Sequence, residues 1–310
     1  MTSVTVQGVA IPAIGLGTSG IRRDLTGPMV RHALAVGYRH IDTAQNYGNE
    51  AEIAAAIAAS SVPRADIWLT TKIARDHFRD GDLQRAAEAS ARNLGGPPDL
   101  LLLHWPNPKI PLAETMGALN DVKRRGLAGE IGVSNFTVAL VEEAVALSEG
   151  PLLVNQVEYH PYLDQRPLLS VLGRNGMALT AYCPLAKGRA AREARLAAIG
   201  ARHGKSSVQV ALRWLIQQGS MIAIPRSSRE AHVEANLAVF DFELTADEMA
   251  EVFALTAKND RLYDPIGLAP AWDGLTAADQ VRRTGRRVIR AVIHRVRRRL
   301  ERVAARLGGQ

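Results

Sequence analysis

Residues 67–104 read IWLTTKIARDHFRDGDLQRAAEASARNLGGPPDLLLLH. Two short apolar runs, Ile67–Lys72 and Leu100–His104, flank a segment with helical periodicity, Gly81–Leu94. That segment stops at Gly95-Gly96, with Pro97 and Pro98 beyond, the usual punctuation of a helix end. Leu100–Leu103 is apolar at every position, as expected of a parallel strand covered on both faces. Strand, helix and strand in this order make one βαβ unit, whose strands are parallel.

The same alternation extends in both directions. Further strands are read at Ala13–Gly17, His40–Asp42, Glu130–Val133, Leu153–Glu158, Ala178–Tyr182 and Met221–Pro225. Helices are read at Glu50–Ala59, with Asn49 as N-cap, and at Leu112–Arg125, Val138–Leu147, Pro167–Asn175 and Ser207–Gln218. Gly126, Gly150, Gly176 and Gly219 mark their ends. Val4–Val6 and Val9–Ile11 around Gln7-Gly8 suggest a hairpin before the first strand. Eight strands with crossover helices over about 250 residues fit an α/β fold, a single (β/α)₈ TIM barrel. A doubly wound sheet with a second domain is the competitor, but no Pro/Gly/Ser-rich linker divides the chain.

The chain has 310 residues, 47% of them hydrophobic and 22% charged, which excludes an intrinsically disordered protein. No apolar stretch approaches a membrane span, and no basic region precedes an apolar run at the N-terminus. A single cysteine, Cys183, leaves no internal disulfide, and the expected compartment is cytoplasmic. The net charge of +7 is unevenly spread: residues 276–310 carry 11 arginines against Asp279 and Glu301. The expected organisation is a barrel domain over residues 1–275, nearly neutral, and an Arg-rich tail over 276–310. In the tail, Val288, Val292, Val296, Leu300, Val303 and Leu307 recur at helical spacing. The tail is read as an amphipathic helix that either docks on an anionic membrane surface or is a solvated appendage. Nucleic acid is disfavoured, because no aromatic residue beyond Trp272 could stack on bases.

Gly15-Leu-Gly-Thr-Ser-Gly20 matches G-x-G-x-x-G, and Asp42 follows about 20 residues later, the outline of a dinucleotide fingerprint. In that motif the helix opens within the glycines. Here Ile21–Pro28 intervenes, so the helix is expected to start late and the glycines to serve close backbone approach.

Four polar residues fall at or beside the C-terminal ends of consecutive strands: Asp42, Tyr47 in the following loop, Lys72 and His104. In a barrel these ends share the face where sites are built. A tyrosine near its reference pKa of about 10 is a poor acid at neutral pH; a neighbouring ammonium stabilises phenolate. A carboxylate holds the ammonium, and a histidine can orient a substrate oxygen. The set suits protonation of an oxygen on which negative charge develops, the step that carbonyl reduction by hydride requires.

Gly37-Tyr-Arg-His-Ile-Asp-Thr-Ala44, Tyr47-Gly-Asn-Glu50, Thr71-Lys72, Leu102-Leu-His-Trp-Pro106 and Gly132-Val-Ser-Asn-Phe136 resemble the aldo-keto reductase superfamily. So do Asn155-Gln156, Ala181-Tyr182, Gln209-Val-Ala-Leu-Arg-Trp214 and Ile224-Pro225. Ser134–Thr137, Leu185-Ala-Lys-Gly188 and Gly267–Asp273 point within it to the bacterial 2,5-diketo-D-gluconate reductase B type. The resemblance implies NAD(P)H-dependent reduction of a small-molecule carbonyl substrate, without a metal. It implies that Tyr47 donates the proton, that Lys72 and Asp42 tune it, and that His104 orients the carbonyl. Ser134, Asn135 and Gln156 match positions that hold the nicotinamide amide, and Tyr182 the ring that stacks on it; Gly17, Thr18 and Leu185 belong to the same cofactor set. Ile224–Asn236 aligns with the segment that grips an adenosine 2′-phosphate, which gives roles to Arg226, Ser227, Arg229, His232 and Asn236. NADPH is expected, but His232 stands where many members have arginine and is a weaker phosphate partner at pH 7, so discrimination against NADH is expected to be modest. Ser19 and Ala74-Arg75 stand where members often carry tryptophans, which leaves room for polar substrates such as 2,5-diketo-D-gluconate or methylglyoxal. A cofactor-binding sensor or scaffold acting through the tail is the second reading, and the complete tetrad argues against it.

Overall fold

The computed structural model describes residues 2–273. The chain divides into two compact units, Met1–Leu262 and Tyr263–Gln310. The first opens with a hairpin, β1 (Ser3–Val6) and β2 (Val9–Pro12), paired antiparallel through Val6 and Val9. Gln7 and Gly8 both take positive φ, 50° and 86°, the turn geometry that matches the twist of a two-residue hairpin.

Eight parallel strands follow: β3 (Leu16–Gly17), β4 (His40–Asp42), β5 (Trp68–Ile73), β6 (Leu100–Leu103), β7 (Glu130–Ser134), β8 (Val154–Glu158), β9 (Ala178–Tyr182) and β10 (Met221–Ala223). They pair in sequence order. The first and last strands also meet. Ile14 bridges Ala223, and the Gly15 and Gly17 N–H groups donate to the carbonyls of Ala223 and Pro225 at 2.9 and 3.1 Å. That seam makes the sheet a barrel, the (β/α)₈ fold expected from the sequence.

The helices are α1 (Arg23–Ala35), α2 (Glu50–Ala58), α3 (Asp82–Leu94), α4 (Leu112–Arg124), α5 (Val138–Leu147), α6 (Arg166–Arg174), α7 (Ala194–His203), α8 (Ser207–Ile216), α9 (Glu230–Leu237) and α10 (Ala246–Phe253). One sequence expectation fails here. Helix α1 starts at Arg23 and runs through Pro28, rather than after it. Proline in that place forfeits the bond to the Asp24 carbonyl, and both residues are exposed, where solvent can reach that group.

The four leucines of β6 show why the strand run is apolar throughout. Leu101 and Leu103 pack into the large cluster that includes the helices' buried faces. Leu100 and Leu102 belong to a separate cluster with Val6 and Ile11 of the hairpin, Val154, Ile222 and Ile224. Strand side chains alternate faces, so one face of β6 meets helices and the other fills the barrel. The hairpin thus plugs the end where the strands begin and leaves the C-terminal end for a site.

In the second unit, Trp272 Nε1 donates to Asp264 Oδ1 at 2.9 Å. The tail read at 276–310, with its amphipathic helix, lies outside the described residues. Among the described residues no helix is long and apolar enough to cross a membrane.

Candidate active site

The barrel register brings the tetrad together at its open end. Asp42 ends β4, Lys72 stands one residue before the end of β5, and the His104 N–H continues the ladder by donating to the Ile73 carbonyl at 3.1 Å. Lys72 Nζ donates to Asp42 Oδ1 at 2.6 Å and to the Thr43 carbonyl at 2.7 Å. Both side chains are buried, at 1% and 3% exposure. Gln156, far along the chain on β8, donates from Nε2 to the second carboxylate oxygen of Asp42 at 2.7 Å. A buried ion pair persists only when its remaining hydrogen-bonding capacity is met, and here Thr43 and Gln156 meet it.

Tyr47 lies beside this pair. Lys72 Nζ is 5.4 Å from the centroid of its ring, and the His104 ring approaches it edge-on at 5.8 Å. Burial, then the Lys72 charge, pushes the His104 imidazole down to about 3, so it is neutral at pH 7. Its Nδ1 is buried without a hydrogen-bond partner among the described residues. The Tyr47 turn is a single 3₁₀ turn, Gln45–Tyr47, closed by Gly48 at φ 65°, a conformation that favours glycine.

Asn49 departs from its expected role. It stands at the N-cap position of α2, but its side chain makes no capping bond. Instead it accepts from Thr43 Oγ1 at 2.8 Å and donates to the Thr18 carbonyl at 3.3 Å. It therefore braces the loops after β3 and β4 around Tyr47. Sequence reading missed this brace, and it missed Thr43 and Gln45, whose Oε1 accepts from the Ala74 N–H at 3.3 Å. The available signal was an asparagine inside the quoted Tyr47–Glu50 motif.

A second group adjoins the tetrad. Ser134 Oγ donates to the Gln156 carbonyl at 2.7 Å, and Asn135 Nδ2 contacts Ser134 Oγ at 3.1 Å and the His104 carbonyl at 2.9 Å. Tyr182 donates its hydroxyl to Asn135 Oδ1 at 2.8 Å. Ser134, Asn135, Gln156 and Tyr182 thus form one polar network joined to Asp42 and His104. Leu185 follows β9 in a loop where Ala186, Lys187 and Gly188 take φ values of 49°, 55° and 85°.

Gly17 and Thr18 sit where the seam meets the tetrad. Thr18 directs both its N–H and its Oγ1 at the Asp42 carbonyl, at 3.0 and 2.9 Å. A Cβ on Gly17 would lie 2.8 Å from the Ile224 carbonyl, and one on Gly15 2.7 Å from the His40 ring. The first two glycines of the G-x-G-x-x-G pattern are therefore required by crowding between neighbouring strands, and the third, Gly20, by its φ of 68°. Across the seam, Arg226 donates to the carbonyls of Ser19 and Gly20 at 3.0 and 3.2 Å. Ser227 Oγ accepts from the Arg229 N–H at 3.0 Å. Arg229 and His232 are exposed and Asn236 is buried; His232 and Asn236 lie on α9, outside the tetrad's hydrogen bonds among the described residues. Cys183 has φ 53°, and burial, then Glu158, pushes its thiol up to about 11, so it stays protonated at neutral pH.

The sequence profile of the Aldo/keto reductase family matches residues 13–257. The chain belongs to the aldo/keto reductase family. It is accordingly an oxidoreductase. A relative named methylglyoxal reductase DkgB, from Escherichia coli O157:H7, is 40% identical over 269 residues, 86% of this chain and 100% of that one. A crystal structure provisionally described as a 2,5-diketo-D-gluconic acid reductase B superposes with a TM-score of 0.87 at 46% identity, covering 88% of this chain and 98% of that one. A Bombyx mori aldo-keto reductase in complex with NADP superposes at 0.78 with 32% identity, covering 84% and 94%.

Proposed function

We propose that this aldo/keto reductase reduces small polar aldehydes and ketones, of the methylglyoxal or 2,5-diketo-D-gluconate type, with NADPH as reductant and Tyr47 as proton donor. The observation that carries the assignment is the buried Lys72–Asp42 pair beside the Tyr47 ring, with the ring of a neutral His104 5.8 Å from the phenol. A neutral imidazole N–H is a much weaker acid than a phenol, which assigns the proton to Tyr47. The Lys72 ammonium, held by Asp42 and Thr43, stabilises negative charge as the phenol's proton leaves. His104 offers a ring nitrogen as a hydrogen-bonding group that orients the carbonyl oxygen.

The residues fit a nicotinamide dinucleotide. The donor set around the N-terminus of α9 suits an anionic phosphate: Arg226 and Arg229 supply guanidinium forks and Ser227 a hydroxyl. The Ser134–Asn135–Gln156 network offers amide partners beside the partly covered Tyr182 ring. When bound, the reduced nicotinamide supplies the hydride. Every other contribution comes from the chain: Asn49 and Gly48 hold Tyr47 in place, Gln156 fixes the Asp42 carboxylate, and Asp42 fixes Lys72.

The test is a panel of carbonyl substrates followed by NADPH oxidation, with Tyr47→Phe alongside. The variant should lose 10²–10⁴-fold in kcat, the usual contribution of a positioned general acid, and still bind NADPH. A variant that keeps more than about a tenth of wild-type kcat removes Tyr47 from the role. Cofactor binding with no turnover on any carbonyl supports a scaffold instead.

A further inference from the structure

We propose that Arg75 is the group that selects substrates within the site just described, by binding a carboxylate carried on the carbonyl compound. The inference rests on the reductase reading above and narrows its substrate class to anionic carbonyls.

Arg75 follows β5, three residues after Lys72, and opens a 3₁₀ turn, Arg75–His77. Its surroundings are stitched to both loops that carry the reacting side chains. The preceding N–H, of Ala74, donates to Gln45 two residues from Tyr47. The Arg75 carbonyl accepts from Asn107 Nδ2 at 3.0 Å, three residues beyond His104. The backbone at Arg75 therefore lies between the Tyr47 loop and the His104 loop at the open end of the barrel.

Its side chain is under-partnered for its degree of cover. It is only 19% exposed, yet among the described residues its one charged neighbour is Asp76 Oδ1 at 3.9 Å, beyond hydrogen-bond range, and Asp76 is 85% exposed. Other arginines of this chain that are covered to a similar degree do better: Arg213, 11% exposed, bonds Gln217 and Glu243 at 2.9 and 3.1 Å. Among the described residues no side chain holds the guanidinium's donors within hydrogen-bond range and solvent still reaches them, so they are open to a ligand anion. The neighbouring cation in sequence, Lys72, is already paired with Asp42 at 2.6 Å, so of the two Arg75 is the one left to meet an anion. Ile73 and Ala74 separate the two in sequence, and Ala74 presents only a methyl group. A carboxylate matches the planar fork in two parallel hydrogen bonds.

The experiment compares each aldehyde acid with its own methyl ester: succinic semialdehyde and 4-carboxybenzaldehyde, at saturating NADPH. Wild type should favour the acids in kcat/KM. In Arg75→Met the acid-to-ester ratio should fall about ten- to hundred-fold, the loss expected for a charge-assisted hydrogen bond, and the fall should come chiefly from KM. Arg75→Lys should retain part of the ratio, and Arg75→Glu should invert it. Thermal melts check folding; if Arg75→Met melts early, Arg75→Lys and Arg75→Gln carry the comparison. A ratio unmoved by these changes, while esters are still reduced, overturns the role of Arg75 and leaves the reductase reading standing. Wild type that reduces neither acids nor esters overturns both.

Discussion

Replacing Lys72 with methionine separates what the buried pair does for stability from what it does for chemistry. Lys72 and Asp42 are joined at 2.6 Å, at 1% and 3% exposure, and Asp42 keeps only Gln156 when the ammonium is gone. Breaking one side of a buried pair typically costs about 3–5 kcal/mol, because it strands the other charge. The Thr43 carbonyl also loses its 2.7 Å donor, which places the expected loss toward the upper end. For a domain of this size each kcal/mol shifts the melting temperature by about 2–4 °C, so Lys72→Met should melt roughly 10 °C or more below wild type. Adding Asp42→Asn in the same chain removes the stranded charge and keeps an acceptor for Gln156. The paired variant should recover about half of the loss in urea or thermal unfolding. Its kcat should stay depressed by at least about 10²-fold, since the phenol still lacks its cation. Two results would refute the reasoning: Lys72→Met within about 1 kcal/mol of wild type, or a paired variant with near-native turnover.

His232→Arg should tighten NADPH more than NADH, by about 1.5 kcal/mol, the low end for a charge-assisted bond at an exposed site; equal changes in cofactor titrations would mean that α9 does not face a 2′-phosphate. Acid should destabilise the fold through histidines held neutral. Burial pushes His40 down to about 4 and His104 to about 3. Between pH 6.5 and those values the unfolded chain takes up protons that the folded chain refuses, so stability falls as pH falls, by up to about 1.4 kcal/mol per pH unit for each histidine. Urea midpoints between pH 6.5 and 5 read the slope, and His40→Asn should reduce it; a flat wild-type profile would contradict the burial argument. Truncation after Asp273 should leave an active reductase, and, if the tail is an anchor, full-length protein should sediment with anionic lipid vesicles at low salt and release as salt rises. Loss of activity on truncation, or indifference to vesicles at low salt, would refute the two halves of that expectation.

The strands were legible because burial on both faces writes itself as unbroken apolar runs; Leu100–Leu103 could hardly be anything else. Helices that end at glycine, such as α3, were legible for a similar local reason. Helices α7, α9 and α10 went unlisted. Helix α9 is eight residues long with only Val233 and Asn236 buried, so it has little apolar stripe to show. Helix α1 was misplaced because Pro28 reads locally as a barrier, whereas tertiary packing of Met29, Val30, Ala33 and Leu34 carries the helix through it. At the site, residue types and strand-end positions could be read, but partners could not. The bond from Gln156 to Asp42 spans 114 positions and exists only once the barrel register sets β8 opposite β4. Asn49 was read for a local cap and is used instead for a contact between loops.

The barrel is closed by two of its shortest strands. β3 has two residues and β10 three, against five in β7, β8 and β9, and few hydrogen bonds join the first strand to the last. The segments that leave this seam are Gly17–Gly20 on one side and Pro225–Arg229 on the other, already tied by Arg226 to Ser19 and Gly20. A dinucleotide gripped by both sides would act as a rivet. Amide exchange at Gly15, Gly17 and Ala223 would then slow on loading. Coenzyme supply would in that way set the lifetime of the protein as well as its turnover, since ligand at a hundred times its dissociation constant adds about 2.7 kcal/mol to the folded state.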